Sequence, residues 1–166
     1  MRIIAPLAFA GLALFSVPAF AQGDFVAQFN GAFSGGGQVR TEADGNPWNV
    51  DCDMTGQASE SALSFDGRCR TALIFSRRVG AQIQIDGNGR YTGTYIGSTI
   101  GPAALSGTRS GNTVTLEITW PEAVNGDTSA TMTITATGSG FHFAVDDLDQ
   151  PGGQTVRMTD IQMTRR

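Results

Sequence analysis

The chain has 166 residues, 11 arginines and no lysine against 15 acidic residues, and a net charge of −4 with only 16% of residues charged. That length suits one domain, and the lack of any dense basic stripe argues against nucleic acid as a partner. Twenty-two glycines, with hydrophobic residues spaced singly rather than in helical clusters, point to an all-β chain with many tight turns.

The N-terminus reads as an address. Met1-Arg2 is a short positive start, Ile3 to Phe15 is almost wholly apolar, and Ala19-Phe20-Ala21 matches a small-x-small cleavage site. Residues 1–21 are therefore expected to be a secretory signal peptide. The expected mature chain is residues 22–166, or 166 − 21 = 145 residues, in the periplasm of a bacterium or outside the cell. It carries 10 arginines against 15 acids, a balance of −5. No later stretch is apolar enough to span a membrane.

In chain order, Phe25 to Phe33 is expected to be the first strand and Ser34 to Gly37 a tight bend. Asp44-Gly45-Asn46-Pro47 is a turn by its chemistry. Trp48, Val50, Cys52 and Met54 then alternate with polar residues. Leu63, Phe65, Cys69, Leu73 and Phe75 share one face of a second arm. With the turn centred near Glu60, Cys52 faces Cys69, Val50 faces Thr71 and Trp48 faces Leu73. The two cysteines of an exported protein form a disulfide, here closing a loop of ~17 residues and stabilising by roughly 3 kcal/mol in the chain-entropy model. The spacing is far from Cys-x-x-Cys and no histidine lies nearby, which disfavours a redox or metal site.

Val79, Ala81, Ile83 and Ile85 form the next alternating run. Asp86-Gly87-Asn88-Gly89 is the sharpest hairpin signal in the chain, and Tyr91, Gly93 and Tyr95 return from it. Leu105 to Arg109 is a short strand. Val114, Leu116, Ile118 and Trp120 alternate cleanly, Pro121 to Asp127 makes a hairpin loop, and Ala130 to Ala136 returns. Phe141, Phe143 and Val145 follow, then an acidic loop from Asp146 to Gly153. In the last strand the apolar parity switches between Met158 and Ile161, which predicts a β-bulge near Thr159-Asp160. Eight to ten antiparallel strands, each apolar on one face, bury that face and hide their edges by closing into an up-and-down barrel. A β-sandwich is the alternative.

Gly31-Ala32-Phe33 together with Arg165 resembles the pattern of the calycin superfamily, the lipocalin-like barrels. There an aromatic residue on the first strand meets an arginine near the end of the last. The likeness implies that Phe33 and Arg165 close the barrel, with phenylalanine standing where that superfamily has tryptophan. Phe29-Asn30-Gly31-Ala32-Phe33-Ser34-Gly35 and Tyr91-Thr92-Gly93-Thr94-Tyr95 also resemble segments of small exported alphaproteobacterial proteins of unknown function. A more distant likeness, to exported bacterial metalloprotease inhibitors, rests on architecture alone. These likenesses imply a fold rather than an activity.

No catalytic constellation stands out. His142, the only histidine, falls on the outer face between Phe141 and Phe143, with no serine marked as a nucleophile. Asp146, Asp147 and Asp149 lack the glycine and ligand spacing of a calcium loop. No metal or cofactor is expected. Trp48, Trp120, Tyr91 and Tyr95 are the candidates to line a pocket or contact surface, and Arg77 and Arg78 to hold an anion or a partner's carboxylate at the rim. The expectation is a non-catalytic protein that binds an apolar or amphipathic small molecule. The alternative is a protein-interaction module, such as an inhibitor of an exported protease. An apolar cavity above about 300 Å³ would favour the first, and a filled core with a protruding 121–127 loop the second.

Overall fold

The computed structural model describes residues 22–71 and 75–166. The leader expected over residues 1–21 lies outside the described residues, as does Leu73, the expected partner of Trp48. A helix α1 (Gln22–Ala27) precedes ten strands: β1 (Gly31–Val39), β2 (Trp48–Ser59), β3 (Ala62–Arg70), β4 (Ser76–Ile85), β5 (Arg90–Ile96), β6 (Ala103–Ser110), β7 (Thr113–Val124), β8 (Asp127–Ala136), β9 (Gly140–Leu148) and β10 (Thr155–Arg165). Each strand pairs antiparallel with the next, and β1 pairs with β10, giving a closed up-and-down barrel rather than a sandwich. Inward positions are apolar, as in Val114, Leu116 and Ile118 of β7. Outward positions such as Thr115, Glu117 and Thr119 are exposed. This polarity is the inverse of a barrel that faces lipid. No helix among the described residues is long and apolar enough to cross a membrane.

The register follows the alternation. Cys52 lies opposite Cys69 and Ser59 opposite Ala62, around a turn at Glu60-Ser61. The Cys52–Cys69 disulfide is formed, across a sequence separation of 17. In β10 the pairing shifts between Arg157 and Thr159, so Met158 is the extra residue and the bulge sits one position before the expected pair.

Four local expectations are corrected. Phe25 to Phe29 is not strand. Phe25, Val26 and Phe29 fall at helical spacing, are buried, and cap one end of the barrel. Burial of that face overrides any strand preference, and Gly31, at φ 121°, redirects the chain into β1. Second, the glycines from 35 to 37 do not bend but run as strand. A Cβ at Gly35 would collide with the carbonyl of Gln162, and one at Gly37 with that of Asp160, so the close approach of β10 requires glycine.

Third, the loop expected over Pro121 to Asp127 shrinks to a tight turn at Asn125-Gly126, both at positive φ (52° and 96°), and β7 continues to Val124. Fourth, Asp146 and Asp147 are not in an acidic loop but in β9. Asp146 pairs with Arg157 at 2.5 Å, and Asp147 is 4% exposed.

Burial raises the Asp147 carboxyl above the ordinary range. The backbone N–H of Leu148 opposes that shift by donating to Oδ1 at 2.8 Å, Asp127 adds to it, and Trp120 opposes it. An acid whose folded pKa is raised binds more protons folded than unfolded. The resulting stability is fully present below the unfolded pKa and is lost as pH rises through the folded one. Asp147→Asn keeps the acceptor for Leu148 but carries no charge. It should therefore melt about 2–4 °C above the parent at pH 7, with the gap closing towards pH 3. Equal melting curves at pH 7 would show that the buried charge costs nothing.

Candidate functional site

Tracing strand directions places the two barrel ends. The β2–β3, β4–β5, β6–β7 and β8–β9 turns lie at the end covered by α1. The β1–β2, β3–β4, β5–β6, β7–β8 and β9–β10 connections lie at the other. The covered end is solid. Phe29 is fully buried and sits edge-on to Phe25 (5.2 Å between ring centroids), Phe65 (5.7 Å) and Phe141 (5.8 Å), while Phe33 and Phe141 meet at 5.0 Å. These arrangements are the favoured ones for aromatic quadrupoles.

Two arginines hold the plug from outside. Arg109 lies 4.5 Å over the Phe25 ring. Arg165 lies 5.0 Å over Phe33 and donates to the carbonyls of Gln28 (2.7 Å) and Asn30. Phe33 and Arg165 are also cross-strand partners on β1 and β10, so their contact spans the seam that closes the barrel.

The other half of the barrel is hollow. A cavity of about 470 Å³ opens at the uncovered end. Phe65 and Phe141 form its floor. Val50, Met54, Ile134, Ile161 and Met163 are among its walls, and the Cys52–Cys69 disulfide faces into it. The mouth is ringed by Trp48, Phe75, Thr41, Thr71, Arg77 and Gly97. Trp48 is 53% exposed and Phe75 67%, so Phe75 stands on the rim and not on the buried face expected for it.

The candidate residues divide. Trp48, Tyr95 and Arg77 line the cavity, whereas Trp120, Tyr91 and Arg78 do not. Trp120 is buried beside Tyr95, with ring centroids 6.2 Å apart. Tyr91 is buried at the plugged end against Gln22. Arg78 points outward and binds Asp66 at 2.7 Å. The Asp66 carboxyl is held below the usual range, chiefly by that hydrogen bond. Burial pushes the Tyr95 phenol up to about 12, against the opposing charge of Arg77, so the hydroxyl remains a donor at neutral pH.

No protein-family model matches the chain, and no curated protein matches it.

His142 lies on the outer wall, half-buried, with Nε2 2.8 Å from Oδ1 of Asp160. Arg157 joins Asp160 to Asp146 in the same network. Asp160 is held below the usual range, first by the His142 hydrogen bond. The network includes no serine or cysteine, and its exposed ion pairs contribute little to stability. Among the described residues, no group of three or more His, Cys, Asp or Glu is placed to hold a metal.

Sequence reasoning missed the plug, because one and a half helical turns are too short to show a period. It also missed the cystine as cavity wall. The inward parity of both cysteines was the available signal, but parity cannot tell a filled interior from a hollow one.

Proposed function

We propose that this protein is a non-catalytic binder of one apolar or amphipathic small molecule, held in the hollow half of the barrel. With residues 1–21 as an export signal, it works in the periplasm or outside the cell. The cavity carries this reading. It is closed at one end by an aromatic floor, open at the other, walled mainly by aliphatic and aromatic side chains, and of the size that small-molecule sites occupy. The Phe33–Arg165 contact supports the calycin likeness, whose members share this architecture.

A neutral fluorescent reporter, N-phenyl-1-naphthylamine, tests it. The expected result is saturable, blue-shifted emission at one molecule per chain. Ala81→Phe, which sends a ring from a buried wall position into the cavity, should abolish that signal without unfolding the barrel. Absence of saturable emission with the unmodified protein would overturn the reading.

A second reading, an interaction module, is favoured by one observation: the exposure of both Trp48 and Phe75 at the cavity mouth. A protein docked there would cover the mouth and compete with the reporter.

A further inference from the structure

The cavity lining carries a single charge. Of the described residues that form it, only Arg77 is ionised at neutral pH, and no acidic residue joins it. Arg77 lies opposite Cys69 on β3, and both face the lumen. Its neighbour Arg78 faces out and is neutralised by Asp66. The same division separates Arg77 from Arg70, which meets Asp53 at 2.5 Å on the outer wall. Among the described residues Arg77 has no carboxylate partner.

Its position at the mouth is nonetheless defined. Nη1 donates to the carbonyl of Gly97 at 3.3 Å, bridging the ends of β4 and β5. The Tyr95 hydroxyl packs against Gly97 so closely that a Cβ there would collide with it. One N–H of the guanidinium is thus used and the others remain available, beside a phenol that stays protonated. A cation above low-dielectric apolar walls, with no acid on the lining, attracts an anion. One guanidinium neutralises one negative charge, and its planar fork fits a carboxylate.

We propose that the cavity takes a single-chain amphiphile with a carboxylate head, its alkyl chain resting on the Phe65 and Phe141 floor and its head on Arg77 at the mouth. This rests on the reading of the cavity as a ligand site.

Isothermal titration with dodecanoate and dodecan-1-ol, below their aggregation limits, in low salt at pH 8, provides the test. The unmodified protein should bind dodecanoate at least about tenfold more tightly than the alcohol, the typical effect of a charge-assisted hydrogen bond. Arg77→Gln should remove that advantage and leave the affinity for the alcohol within about twofold. Arg77 is exposed, so the variant should melt with the parent. Equal affinities for acid and alcohol in the parent, or equal weakening of both by Arg77→Gln, would overturn the assignment of the head group while leaving the cavity reading intact. Failure of both chains to bind a protein that still takes up the neutral naphthylamine would overturn the amphiphile alone. Failure of all three ligands would overturn both readings.

Discussion

Truncating Phe29 to alanine should destabilise the barrel by about 3–5 kcal/mol, the range for deleting a fully buried aromatic side chain. In a domain of this size that corresponds to a fall in melting temperature of about 6–20 °C. Phe29 is 0% exposed and touches the rings of Phe25, Phe65 and Phe141. The surroundings are strands locked in a closed ladder, so they cannot collapse into the space left behind. Phe65 and Phe141 also form the cavity floor, so the variant should bind the naphthylamine reporter less tightly even where it is fully folded. Phe75→Ala is the matched control. Its ring is 67% exposed, and its melting temperature should stay within about 2 °C of the parent. Similar melting temperatures for the two variants would show that the Phe29 plug is not part of the cooperative core.

The second large effect is expected from the disulfide. Replacing Cys52 and Cys69 together by alanine should cost roughly 3 kcal/mol, from the conformational freedom that a loop of ~17 residues regains in the unfolded chain. The melting temperature should fall by about 6–12 °C, and thiol reduction of the unmodified protein should produce a similar fall. The β2–β3 register does not depend on the bond alone. Nine consecutive residue pairs from Asp51↔Arg70 to Ser59↔Ala62 hold it. The variant should therefore fold and keep a cavity. Because the sulfurs face that cavity, its walls widen, and affinity for the reporter should change within about tenfold rather than vanish. Identical thermal unfolding of the oxidised and reduced proteins would remove the staple from the account of stability.

Much of the barrel was legible because period-two alternation specifies both strand and facing. Val114 to Trp120 and Ala130 to Ala136 were read at their observed facing, and Cys52 opposite Cys69 followed from one turn position. The misreadings share a physical cause, since each concerns a residue whose conformation is set by a distant partner. Gly35 and Gly37 look like a bend until the β10 backbone is laid against them. Asp147 looks solvated until its parity within β9 carries it inward beside Trp120. Phe25 and Phe29 fit either a strand or a helical turn until the barrel end requires a plug. The site was legible only in part. Trp48, Tyr95 and Arg77 were named for their chemistry, but so were Trp120, Tyr91 and Arg78. Parity separates Arg77, in phase with Val79 and Ala81, from Arg78, but Tyr91 and Tyr95 share one face of β5, and which of them meets the hollow depends on which end of the barrel α1 plugs.

The seam between β1 and β10 also bears on how the chain reaches its fold. Every other strand pair joins neighbours in the chain, which can form early through short loops. Phe33 and Arg165, by contrast, meet only after the whole sheet lies between them, and that closure carries the largest entropic cost. Until then β1 and β10 each present an unpaired edge, and the glycine run of β1 is a weakly specified one. Folding should therefore proceed as hairpins that zip in succession, with the seam sealed last. A chain lacking β10 should be an open, self-associating sheet rather than a smaller barrel.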